Sequence, residues 1–366
     1  MFVKEEIDAK KRKVRQLLED LGLDGILIKR QSNFAWLTGG ARNLVGIATE
    51  IGVSSALIGR EAEYILANNI EAPRLIEEEE IEAQGYEVRS FPWHADGESA
   101  LARELAGPRL GADVPMAGAV DVAKNLAPLR HAMTPWEVER YKDVGIETAR
   151  AIEETTAEIR PGDKECTVVG RLAARLWDRG LDYITTFCAA DDRIARFRHP
   201  LATDRRVEKR AMLCVNARKG GLIVSLTRFV QFGPLPADLR RRYDATVRVD
   251  CTLMAHTVPG RPAAEAFRKG IEAYAEAGFP EEFELHHQGG AIGYEGRDYK
   301  VTFESPHIVQ ENQAFTWNPS ITGAKSEDTM LATAGGPVIL SPPVTFPVLG
   351  MEVAGIRFCR PDILEL

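Results

Sequence analysis

The sequence predicts a two-domain α+β protein, and three features of the chain lead there. At 366 residues it exceeds what one core of ordinary size organises. Its texture changes near residue 133, where Thr134-Pro135-Trp136-Glu137 opens a long helical segment. Beyond two successive helical segments, strand-like runs then dominate to the C-terminus. The boundary is placed just before the capping sequence, giving a smaller α/β domain over 1–132 and a larger domain over 133–366.

The elements follow in order. Ile7 to Leu21 is a charged amphipathic helix, and Gly25-Ile-Leu-Ile-Lys29 is a short apolar strand. The runs VSSALIG and AEYILA flank the polar Arg60-Glu61 turn and read as a hairpin. Thr134 is then an N-cap, Pro135 the first helical residue and Glu137 the third, a capping box that starts a helix running to about Glu158. Arg160-Pro161-Gly162-Asp163 stops it, and ECTVVGRLAARLWDRG forms a second helix. The runs AMLCVNAR, GLIVSLTRFVQF, FELHH, AFTWNP, DTMLAT and PVILS read as strands, with helical segments around Pro236–Ala255 and Ala263–Ala277 between the second and third. Helices laid against a curved antiparallel sheet are the simplest arrangement for this order.

Composition excludes several function classes. With 45% hydrophobic and 27% charged residues the chain has the makeup of a folded soluble domain. Fifty-four acidic against 46 basic residues give a net charge of −8, which makes nucleic acid and anionic membrane poor partners. The acidic run Glu77 to Glu80 is a solvated face. Five scattered cysteines without CxxC spacing read as reduced thiols, and there is neither a signal-like apolar segment nor a run of 18 apolar residues, so a cytoplasmic location is expected.

The phrases IRPGDKE, VSLTRFVQFG and GAKSEDT, in this order, resemble the pita-bread fold of the creatinase/Xaa-Pro aminopeptidase/prolidase family. SNFAWLTGG, after the first strand, is similar to the creatinase-type N-terminal domain. The resemblance spans essentially the whole chain. It implies a C-terminal pita-bread domain behind a creatinase-like α/β domain, a small-molecule substrate and a homodimer in which Arg42 and Trp36 reach the neighbouring subunit's site.

Metallopeptidases of that family hold two divalent ions with two Asp, one His and two Glu, because such cations need several anionic oxygens to replace their hydration shell. On the family pattern this chain departs at four of five positions. Asn216 stands at or near the first Asp, Ser225 precedes the Leu226-Thr227-Arg228 triplet at the second, Gly290 takes the His position and Asn318 precedes Pro319 where the first Glu belongs. Glu327 alone is retained. One carboxylate among neutral groups does not balance two dications, so no metal and no cofactor is expected, and the pocket is expected to be polar and neutral.

The resemblance to creatinase, the metal-free member, implies a histidine general base, and His199 in ARFRHPLAT holds the matching position. An imidazole with a pKa near 6.5 takes a proton from water without a metal. His286 and His287 are adjacent on an expected strand, so only one faces a given cavity, and the family pattern favours His286 over His287. Arg297 falls where the family carries a substrate-facing residue and is a candidate carboxylate clamp, against the alternative of a salt bridge to Asp298 or Glu295. Glu327 is a candidate acid or hydrogen-bond acceptor, against an ion pair with Lys325 or Arg228. Catalytic candidates are thus His199, His286 and Glu327. Asn216, Ser225, Asn318, Arg228, His287 and Arg297 are candidates for binding substrate.

Three functions remain open at this level: a metal-independent hydrolase or lyase acting on a C–N bond of a small amino-acid-like or guanidino substrate, a metal-dependent Xaa-Pro peptidase, and a non-catalytic peptide-binding protein.

Overall fold

A computed structural model describes residues 2–366 and resolves two compact units, residues 2–136 together with Gly220–Leu222, and Glu137–Lys219 together with Ile223–Leu366. The first unit is an α/β domain on a six-stranded mixed sheet. Its strand order is Glu87–Phe91, Glu63–Asn68, Ile51–Gly59, Gly25–Arg30, Leu110–Ala112 and Val120–Asp121. The apolar run at Gly25 lies central, which is why Ile26, Leu27 and Ile28 are all fully buried and do not alternate with polar residues. The expected hairpin is present, with Ser55 to Ile58 paired antiparallel to Glu63 to Leu66. Trp36, expected near a partner's site, is instead part of this unit's core at 1% exposure, and its carbonyl accepts a hydrogen bond from the buried Lys10. Arg42 is exposed.

The second unit carries the long helix Pro135–Ala157, the helix Glu165–Asp178, and two sheets. The first sheet is ordered Leu364–Glu365, Leu222–Gln231, Arg210–Lys219, Asp182–Ala190. Strand Leu222–Gln231 is buried along its whole length. The other sheet is ordered Tyr299–Lys300, Gly289–Ala291, Gln313–Trp317, Asp328–Ala332, Val338–Ile339. Helices Ala237–His256 and Ala263–Glu276 pack on this framework through Tyr243, Val247, Leu253, Met254 and Phe267, against Phe229, Phe315, Trp317 and Met330. The chain is therefore α+β, with helices covering curved antiparallel strands.

Two elements differ from expectation. FELHH is not a strand: Glu282–Leu285 is a short 3₁₀ turn and His286 is extended beyond it. Strand Asp182–Ala190 and the hairpin Val348–Val353/Ile356–Pro361 were not anticipated, because their alternation is interrupted by charged and small residues.

Beneath the sheets lies a chain of buried charge. Arg228 contacts Glu153 at 3.2 Å and Asp328 at 3.0 Å, and Arg360 contacts Asp328 at 3.0 Å and Asp250 at 2.6 Å. All five side chains are fully shielded from solvent, and Ser341 adds a hydrogen bond to Asp328 at 2.8 Å. Such a network is strongly destabilising to break at one member, since the partner is left as an uncompensated buried charge. It assigns Arg228 a structural role and corrects its candidacy as a substrate contact.

Candidate functional site

His199 reaches the site on an excursion between two strands, and Glu165 fixes both ends of that excursion. Its fully buried carboxylate accepts from the backbone N–H of Ala190 at 2.8 Å and of Thr203 at 2.9 Å, from Thr203 Oγ1 at 2.7 Å, and from Arg193. A carboxylate serving several donors is held in one position. Next to the histidine, Arg198 donates to Glu282 Oε2 at 2.8 Å and to Thr322 Oγ1 at 3.0 Å, which ties the loop to the 3₁₀ turn ahead of His286. Gln288 secures that turn by donating to the Phe283 and His286 carbonyls while accepting from Tyr274 Oη at 2.7 Å.

The result is a three-imidazole cluster. Nε2 of His286 lies 3.1 Å from Nε2 of His199, and the His286 and His287 rings are 4.5 Å apart between centroids. The expectation that adjacent histidines diverge fails here because the residues follow a tight turn and do not sit in a flat strand. All three imidazoles titrate below the usual range. Burial is the main cause for each, bringing His286 down to about 2 and His287 to about 4, with neighbouring cations adding to the effect. At neutral pH the cluster is uncharged.

A cavity of about 570 Å³ opens beside it, lined by Thr185, Phe187, His199, Leu201, Cys214, Asn216, His287, Gly296, Arg297, Lys300, Asn318, Lys325 and Glu327. His287 contributes to this wall; His286 stands behind His199. Ser225 is buried in its strand with its backbone bonded to Thr329 Oγ1 and does not line the cavity, which corrects its candidacy.

The cavity floor is an ion pair. Lys325 Nζ donates to Glu327 Oε2 at 2.7 Å, and Thr227 Oγ1 donates to the same oxygen at 2.7 Å. Burial alone raises the Glu327 carboxyl, but the Lys325 ammonium and the Thr227 hydroxyl outweigh it and hold the group below its ordinary value. Glu327 is therefore an ionised, neutralised carboxylate, and its candidacy as a proton donor is corrected. Burial pushes the Cys214 thiol up, so it stays protonated. Arg297 is not a salt-bridge residue of the surface: its Nη1 donates to the Gly290 carbonyl at 3.0 Å and the Thr316 carbonyl at 2.8 Å. With Arg297, Lys300 and Lys325 facing one carboxylate, the pocket is electropositive where a neutral one was expected. Lys325 is the residue that sequence reasoning underweighted; its place two residues before Glu327 in GAKSEDT is the signal that pairs them.

The donor set does not fit a binuclear metal centre. Gly290, at the family's histidine position, has a φ of +153°, and a Cβ there would lie 2.1 Å from the Tyr299 carbonyl oxygen, so no side chain fits on this backbone. Asn318 offers an amide oxygen that is buried without a hydrogen-bond partner, Asn216 another neutral amide, and Glu327 is already matched by an ammonium. Asp328, next in sequence, is held by two guanidiniums.

Residues 139–334 match the family described as metallopeptidase family M24, and residues 10–127 match the creatinase/prolidase N-terminal domain. Among curated relatives, the uncharacterized peptidase YqhT of Bacillus subtilis (strain 168) is 23% identical over 352 residues, covering 89% of this chain and 96% of that protein. The Xaa-Pro dipeptidase of Pyrococcus horikoshii is 22% identical over 346 residues, covering 90% and 96%. Of solved structures, the recombinant prolidase from Thermococcus sibiricus superposes with a TM-score of 0.78 at 17% identity, covering 100% of each chain. No helix among the described residues is long and apolar enough to cross a membrane.

Proposed function

Because the chain belongs to metallopeptidase family M24, we propose that it keeps that family's hydrolase scaffold but cleaves a C–N bond of a small amino-acid-like or guanidino substrate without the binuclear metal centre. The observation that carries this reading is the neutral His199–His286 pair at the edge of a cavity whose other groups are unsuited to two dications. His199 accepts a proton from water, the water oxygen bonds to the electrophilic carbon, the C–N bond breaks, and the proton passes to the leaving nitrogen. His286 orients the imidazole of His199 through the Nε2–Nε2 contact. Incubation of the chelator-treated protein with creatine-like and N-acyl amino-acid substrates tests it. Turnover that survives chelation and disappears in His199→Ala supports the reading, and turnover that persists in His199→Ala overturns it.

The relatives by themselves favour a second reading more directly, that of a metal-dependent Xaa-Pro dipeptidase, the name carried by the P. horikoshii protein. Cleavage of Xaa-Pro dipeptides that requires added manganese or cobalt, with stoichiometric metal by elemental analysis, decides for this reading against the first.

A further inference from the structure

Lys325 is 6% exposed and has three N–H bonds to place. Its partners are Glu327 Oε2 at 2.7 Å and, weakly, Cys214 Sγ at 3.9 Å, which leaves a donor at the cavity floor. Arg297 spends Nη1 on two carbonyl oxygens, and neither Nε nor Nη2 has a hydrogen-bond partner among the described residues. Lys300, on the same wall, has none either and is exposed. Three cations line the cavity against one lining carboxylate, with Asp298 a further acid in electrostatic reach of Arg297 but outside the lining. An excess of positive charge in a concave site attracts an anion and repels a dication. Phe187 and Leu201 add apolar wall, which suits an organic ligand better than an inorganic ion.

We propose that the Lys325 ammonium takes over the electrostatic role a metal ion plays in this fold, and that the cavity binds the carboxylate of a small organic acid between Lys325, Lys300 and Arg297. This rests on the reading above that the site works without two metal ions, and it narrows the substrate class to anions. The competing occupant is a single divalent cation on His199, His286 and His287, whose donor atoms lie within 4.8 Å of one another. Lys325 lies in electrostatic reach of all three imidazoles, Arg198 of His286 and Arg297 of His287, so a dication there faces several cations, with Glu327 opposing them at His199.

Calorimetric titration of the full chain, dialysed against chelator, at low ionic strength tests the proposal with hippurate, succinate, inorganic phosphate and zinc as separate probes. Hippurate or succinate is expected to bind one per chain, at least tenfold more tightly than phosphate and with an affinity that falls as salt rises. Lys300→Met, a change at an exposed side chain, is expected to weaken binding three- to tenfold. The charge-neutral double change Lys325→Met with Glu327→Gln, which leaves no buried ion behind, is expected to weaken it more than tenfold. Unchanged hippurate affinity in the double variant, phosphate binding as tight as the organic acids, or stoichiometric zinc with no heat from the acids each overturns the proposal. These titrations need no turnover, so a failure of His199 chemistry leaves them standing, and their failure leaves the His199 assay to be judged separately.

Discussion

Nε2 of His286 and Nε2 of His199 face each other at 3.1 Å, so at neutral pH one of them carries the hydrogen and the other the lone pair. The two imidazoles are therefore complementary tautomers that share one proton position. Replacing His286 with Asn keeps a polar group but removes that relation. Turnover is expected to fall about 10²-fold in His286→Asn and up to about 10⁴-fold in His199→Ala, the span of a lost general base. Steady-state kinetics on the substrate found by the assay above reads this out; activity in His199→Ala equal to that of the unsubstituted chain would separate His199 from the chemistry.

The acid limb of the pH profile is expected below pH 6.5. Burial and the Lys325 charge lower the His199 imidazole, so its base form survives into more acidic solution than a free histidine's would. A limb at or above pH 6.5 in kcat/KM assigns the titration to another group.

Acid stability should show the cluster as well. His286 and His287, at about 2 and about 4 when folded, have pKa values below the unfolded value near 6.5, so the unfolded chain binds more protons as the pH falls. Stability is complete above pH 6.5 and declines from there through pH 4 and on toward pH 2. Denaturant melts of His287→Asn between pH 7 and 4 should be flatter than those of the unsubstituted chain, and parallel curves contradict the assignment.

The buried network makes a prediction of its own. Arg228→Met removes the guanidinium between Glu153 and Asp328, leaving Glu153 with only the Val344 and Thr345 donors and Asp328 with Arg360 and Ser341, and a loss of about 3–5 kcal/mol is expected. A loss under about 1 kcal/mol by urea unfolding means that the remaining donors suffice for the two carboxylates or that they protonate.

Restoring the family's histidine should not restore a metal. Gly290→His meets the Tyr299 carbonyl and an unfavourable backbone, at a cost on the order of 3 kcal/mol, and elemental analysis of the variant is expected to find no stoichiometric cation. Recovery of a bound cation at unchanged stability shows that the strand has room after all.

The helices from Pro135 and Glu165 were legible because their start and stop signals and periodicity are local, and local rules survive whatever tertiary setting they enter. The neutral residues at Asn216, Ser225, Gly290 and Asn318 were legible for a related reason: each is a residue type in a short phrase, and no fold can turn Asn318 into a carboxylate. FELHH misled because a short run of mixed polarity satisfies a strand pattern as well as a 3₁₀ turn, and only the Gln288 and Tyr274 hydrogen bonds decide between them.

The sequence by itself determined the two-domain α+β plan, the family, and the residue types Asn216, Ser225, Gly290 and Asn318 in the phrases compared with the family pattern. Only the tertiary structure decided which charged groups meet around them. Arg228 and Lys325 are both basic residues in strands, yet one is locked to Glu153 and Asp328 beneath the sheet while the other meets Glu327 at a cavity floor. Charge is a property of the residue, but whether it is matched depends on distances of about 3 Å between positions a hundred residues apart, such as Arg228 and Asp328. That is why a pocket expected to be neutral is positively charged.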